Sequence, residues 1–155
     1  MDTPSKYESA KLILKLYDLR REETIRKARD WFIWFIPSNV DEITATLMGE
    51  HSAYFRMVIS YWEMAAALVN HGAIDEEMFN DAIGSEFVGV FSKLAPFLAE
   101  TREKYNAPTY LQHLESLVMR MPGAAERLVT AREQMKQFAE ARAKQAGAEA
   151  ASSQS

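Results

Sequence analysis

Glu63 and three histidines are the residues of this chain whose types and settings could do chemistry. Glu63 stands between Trp62 and Met64 in the stretch SYWEMAAALVNHGAIDEEMF, residues 60–79, and the histidines are His51, His71 and His113. A metal site inside a helical bundle wants Glu-x-x-His pairs on facing helices. Three residues after Glu50, Glu63, Glu76 and Glu77 stand Ala53, Ala66, Phe79 and Asn80, so no such pair occurs. His-Glu-x-x-His, the Gly-x-Ser-x-Gly elbow and the phosphate loop are absent too. There is no cysteine, hence no thiolate metal site, disulfide or cysteine nucleophile. A triad built from distant residues leaves no local mark. No metal and no cofactor is expected. His71 reads as a last-turn residue that the helix dipole favours, and His51 as one near a helix start.

Glu63 needs a partner or a purpose. Arg56, Ser60, Glu63, Ala67 and Asn70 recur at 4-3-4-3 spacing, so they share one narrow seam on an otherwise apolar helix. Three roles compete for this seam. It can be a solvent-facing stripe. It can be a buried network, with Glu63 paired to Arg56 or to an arginine of another helix. It can also floor a pocket in which Glu63 is a catalytic or ligand-binding carboxylate. A second feature is the run Trp31-Phe32-Ile33-Trp34-Phe35-Ile36, apolar on every side of a helix end. Such an end must be enclosed by other helices or by a partner. Trp31, Trp34 and Phe35 are the candidate partner surface, against the plainer reading of core packing. A membrane-surface role would want a larger basic face than Arg26, Lys27 and Arg29 offer against Glu22, Glu23 and Asp30.

The elements that position these residues all read as helices. Residues 4–21 show Leu12, Leu16 and Leu19 on one face, with Ile13 and Tyr17 beside them and Thr3 before Pro4 as the expected cap. Residues 22–36 follow and stop at Pro37; no Gly or Pro separates the two segments. A short helix over 38–48 is capped by Ser38 or Asn39 and ends at Gly49. The central helix spans about 51–71, with Tyr54, Val58, Tyr61, Ala65 and Leu68 beside Phe55, Ile59, Trp62, Ala66 and Val69. Two adjoining apolar faces predict burial over most of its circumference. Gly72 then serves as a left-handed stop, Asp75 caps the next helix, and Ile74 staples onto Phe79. The helix over 86–105, with Phe87, Phe91, Leu94, Leu98 and Tyr105 inward, must kink or break at Pro96. Helices over 110–121 and 124–145 follow, the last with a thin stripe of Leu128, Ala131, Met135 and Phe138. Residues 146–155 are small and polar and predict a disordered tail behind a single domain over 1–145.

With 155 residues, 48% hydrophobic and 26% charged, the chain can bury one proper core. A net charge of −4, with acidic and basic residues interleaved, gives no electrostatic footprint for nucleic acid. The longest uncharged stretch, residues 64–74, is too short for a membrane span. The N-terminus lacks a signal peptide's apolar core, and a cysteine-free chain fits a cytoplasmic location.

The stretch SYWEMAAALVNHGAIDEEMFNDAIG, followed by FSKLAPFLAETREKY and a short Tyr- and Leu-bearing helix, resembles a bacterial family of small helical domains of unknown function. The resemblance covers about Tyr54 to Leu117 and implies a fold but no activity. Some members carry a membrane helix ahead of this domain, and none is expected here. The expectation is thus an all-α protein, a compact bundle of about six to eight helices. Its leading functional reading is a non-enzymatic scaffold or protein-interaction module, with a homodimer or another protein as partner. The alternative is a ligand-binding or enzymatic bundle with a pocket around Glu63.

Overall fold

Side chains that accept the first free backbone amides set most of the helix starts in the computed structural model, which describes residues 3–154. Helix α1 (Lys6–Arg20) is capped by Ser5, whose Oγ accepts from the Glu8 amide at 3.1 Å while donating to the Glu8 carboxylate at 2.9 Å. This pair of bonds places the cap at Ser5 and not at the expected Thr3. Helix α2 (Glu23–Trp34) begins on Glu22, whose carboxylate accepts from the Thr24 and Ile25 amides, both at 3.0 Å. Those bonds hold the Glu22 carboxyl below its ordinary range and make two helices of the first two segments. Asn39 caps α3 (Val40–Met48), and Asp75 caps α5 (Glu76–Ile83). Between them α4 (Ser52–Asn70) ends as expected at Gly72, with φ 78°. There the Ala73 amide donates to the Leu68 carbonyl and the Gly72 amide to that of Val69, each at 2.9 Å.

Pro96 breaks the following helix as foreseen. α6 (Glu86–Leu94) passes through a 3-10 turn, Ala95–Phe97, into α7 (Leu98–Lys104). α8 (Gln112–Met119) and α9 (Ala124–Ser152) complete the chain. Counting α6 and α7 as one broken helix, the described residues form eight helices and no strand.

Helix α4 lies at the centre and packs on α2, α3, α5 and α8, while α6 packs on α8 and α9 and α1 on α5. Phe55, Val58, Ile59, Tyr61, Trp62, Ala65, Ala66 and Val69 of α4 are buried. α6 is as enclosed: every residue from Phe87 to Leu94 is buried, Lys93 included. No single helix is long and apolar enough to cross a membrane among the described residues. One bent pair, Glu76–Ile83 with Glu86–Lys104, has the composition but turns through 91°.

Three local expectations are corrected. The buried face of α1 is Ser9, Ile13 and Leu16, whereas Leu12 and Leu19 are exposed. Polar anchors set that rotation: Ser9 Oγ accepts from the Asp75 amide at 2.9 Å, and the Tyr61 hydroxyl donates to the Leu16 carbonyl at 2.6 Å. Burial pushes Tyr61 up to about 12, so it stays a donor. Tyr105 is exposed, not inward, because its hydroxyl reaches Thr44 Oγ1 at 2.7 Å. α8 starts at Gln112, not Tyr110, because Leu111 is left-handed, with φ 56°.

In α9, Leu128, Ala131 and Met135 are half-buried and Phe138 is exposed. From Glu140 onward every described residue is exposed, yet the helix continues to Ser152, inside the stretch expected to be a disordered tail. Ser155, the end of that stretch, and Met1 and Asp2 of the expected domain lie outside the described residues. A helix end without packing is marginal in water. Deleting residues 146–155 is therefore expected to change unfolding free energy by less than about 0.5 kcal/mol. A calorimetric loss well above that would show that the segment packs.

Candidate functional site

The start of α8 has no cap of its own. Leu111 occupies the N-cap position in a left-handed conformation and has no side-chain acceptor to offer. Such a conformation is strained for a residue with a β-carbon and persists only where its surroundings impose it. Glu63, on α4, fills the gap from outside. Its Oε1 accepts from the His113 amide at 2.9 Å and its Oε2 from the Leu114 amide at 2.8 Å. These are the second and third residues of α8, the amides a local N-cap would serve. A carboxylate also answers the positive end of the helix dipole. Tyr110 stands beside it; burial, and then the Glu63 charge, push its hydroxyl up to about 12.

The seam divides at this point. Above Glu63, Asn70 Nδ2 donates to the His113 carbonyl at 3.0 Å, and Asn70 Oδ1 accepts from Arg120 at 2.7 Å. Arg120 also pairs with Glu76 at 2.9 Å, so α4, α5 and α8 share one polar network. Below Glu63, Arg56 and Ser60 are exposed; Arg56 Nε donates to Ser52 Oγ at 3.3 Å and Ser60 Oγ to the Met57 carbonyl at 3.2 Å. The structure brings Glu63 and Asn70 together on α8 and leaves Arg56 and Ser60 apart, in solvent. His71 and His113 lie with ring centroids 5.4 Å apart, while His51 stacks on Trp31 elsewhere. Among the described residues no group of three His, Asp or Glu side chains is placed to hold a metal ion.

A second site has the opposite polarity. Lys93 is 1% exposed on apolar α6, and its Nζ donates to the Phe32 carbonyl at 2.5 Å and the Ile33 carbonyl at 2.9 Å. Those carbonyls end α2, so Lys93 closes a helix C-terminus across the core just as Glu63 closes an N-terminus. Arg132 of α9 continues the bracing, donating to the Lys93 carbonyl at 3.1 Å and the Pro37 carbonyl at 2.7 Å. Burial pushes Lys93 from its ordinary 10.5 down to about 7. A neutral amine keeps two donors, which suits its two acceptors. Beside it runs a cleft of about 510 Å³, lined in part by Arg29, Glu86, Lys93 and Met135. Arg29 grips Glu86 through two bonds of 2.7 Å, and Arg20 adds a third at 3.0 Å.

Sequence reasoning missed Lys93, Glu86 and Arg132. Lys93 carried the same mark as Glu63, a lone charge inside an apolar helical run, FSKLAPF. Glu86 stands alone between Asp81 and Lys93 at the head of the same apolar run, while Arg132 sits among other charges, with nothing in its spacing to single it out.

The aromatic run is split by the end of α2. Phe32 is buried; Trp31 and Phe35 are half-buried, stacked with ring centroids 5.1 Å apart. Ile33 and Trp34 remain 46% and 37% exposed. Arg142 of α9 lies over Trp34, its guanidinium carbon 3.9 Å from the ring centroid.

Residues 7–121 match the family described as "Domain of unknown function (DUF4760)", and the chain belongs to it. The match runs from α1 past the end of α8 and leaves α9 outside. No curated protein and no solved structure matches the chain.

Glu63→Ala is expected to cost about 1–3 kcal/mol, the range for two charge-assisted bonds at a helix start. Glu63→Gln keeps one acceptor and should cost less. A Glu63→Ala melting curve overlying wild type would sink the capping role. Lys93 titrates near pH 7 when folded and near 10.5 when unfolded. Between those values the unfolded chain holds a proton that the folded chain has released, so Lys93 makes stability rise with pH across that window. Denaturant titrations from pH 7 to 10 should show a smaller rise in Lys93→Met than in wild type; an equal slope would refute the assignment.

Proposed function

We propose that this domain is a non-enzymatic protein-interaction module that docks through the α2–α9 edge around Trp34, with a second copy of the chain as its partner. The observation that carries this reading is the pair Ile33 and Trp34, left 46% and 37% exposed at the end of a helix whose other aromatic residues are packed. Phe138, 67% exposed, extends the apolar surface along α9. Its place on the same edge follows from its neighbours. Met135, one turn before it, lines a cleft with Ile33, and Arg142, one turn after it, lies on Trp34. Trp31 and Phe35, the other members of the candidate surface, line the same notch as Trp34 and are half-buried. Aromatic residues are enriched at protein contacts because they bring large area with little conformational freedom to lose.

The alternative, a pocket worked by Glu63, has less support. Each of its oxygens already accepts from a backbone amide, so the carboxylate is engaged as a helix cap.

Light scattering over a concentration series tests the reading. Wild type should move toward twice the monomer mass, and Trp34→Glu should stay monomeric with a circular-dichroism melt within a few degrees of wild type. A Trp34→Glu chain that loses its fold would place Trp34 in the core instead. A wild-type chain that stays monomeric throughout would remove the second copy as partner.

A further inference from the structure

We propose that the notch between Trp34, Trp31 and Asp30 is a recognition site for an arginine side chain of a partner peptide, and that Arg142 is its resident occupant. The proposal rests on the α2–α9 edge being a docking surface, and it names the chemistry that surface selects. Arg142 lies 3.9 Å from the Trp34 centroid, whereas the other cation–ring pairs among the described residues lie at 4.9–5.9 Å. Trp offers the strongest ring for a cation, and a planar guanidinium stacks on it as an ammonium does not. Asp30 lines the same notch and makes no ion pair among the described residues, so a negative charge stands there unanswered. Lys27, at the rim, is already paired with Glu23 at 2.9 Å. The notch measures about 520 Å³, which leaves room beside a single guanidinium.

The occupant is weakly held. Arg142 has no carboxylate partner among the described residues, and it sits where α9 is exposed on all sides. An exposed cation–π contact shifts an equilibrium by a factor of only about two to five. A partner that brings an arginine together with apolar cover for Ile33 and Phe138 can displace it. The family match ends at residue 121, so α9, which carries the occupant, lies beyond the family domain and acts as a cover over that domain's own tryptophan.

The test follows the tryptophan indole N–H resonances of the full chain during titration with acetyl-Ala-Arg-Ala-amide. The isosteric citrulline peptide, which has no charge, is the control. Trp34→Leu assigns the Trp34 signal and should abolish its saturable shift. Arg142→Gln removes the competitor and should tighten the arginine peptide about two- to fivefold over wild type. Asp30→Asn, an exposed change that leaves the fold alone, should weaken binding severalfold if Trp34→Leu proves unstable. Equal response to the citrulline peptide, or no gain from Arg142→Gln, overturns the proposal. Loss of self-association in Trp34→Glu with no arginine selectivity leaves the docking surface standing without this ligand. Arginine selectivity with no self-association keeps the notch and removes the second copy as partner.

Discussion

Every helix exposes backbone amides at its start and carbonyls at its end, and in a packed bundle water does not reach all of them. This constraint governs the present fold more than any single apolar contact. At four starts a local side chain answers: Ser5, Glu22, Asn39 and Asp75 each accept from amides of the helix that follows. Where an end is enclosed, the answer comes from another helix. Glu63 of α4 reaches the start of α8, and Lys93 of α6 reaches the end of α2. Each is an ionisable side chain on an apolar helix, Glu63 an acceptor meeting free amides and Lys93 a donor meeting terminal carbonyls.

The two cross-helix caps also fix geometry that hydrophobic packing would leave loose. Apolar faces tolerate sliding and small rotations, whereas a carboxylate on two particular amides does not. Helix α8 must present its first turn to α4, and the left-handed Leu111 is the local cost of turning the chain to do so. On the other side, Lys93 pins α6 to the end of α2, and Arg132 ties α9 to the same corner. Helices α4 and α6 therefore supply both the largest buried faces and the two polar side chains that set their neighbours in place. A leucine at either position would bury more easily and leave a helix end unanswered.

Much of the framework was legible because its signals are local. The stop at Gly72, the cap at Asp75, the break at Pro96 and the double apolar face of α4 each depend on residues within a turn or two. The failures have one physical source. The buried face of α1 is set by Asp75 and Tyr61, more than forty residues away in sequence. The start of α8 is set by a left-handed leucine, which sequence gives no reason to expect. Residues 56, 60, 63 and 70 share one line on α4, but its halves meet different surroundings, since only Glu63 and Asn70 bond to α8. Glu63 was weighed against an arginine partner, and the structure pairs it with backbone amides, which every residue except proline carries and no pattern can reveal.

That outcome bears on function. A buried or half-buried charge in an apolar helix raises the thought of catalysis, because active sites collect groups of that kind. Here the two foremost examples have both bonding partners and a mechanical purpose, so their unusual settings are already accounted for. What structure-making leaves over lies at the edge of the bundle. Trp34 and Ile33 end a helix whose last carbonyls Lys93 has closed, and the core packing that engages Phe32 and Phe35 does not extend to them. α9 crosses this edge with one arginine on one tryptophan, and its described residues from Glu140 onward are exposed. An exposed cation–ring contact of this kind contributes little to the fold, so this edge is held far less firmly than the two helix ends that Glu63 and Lys93 close.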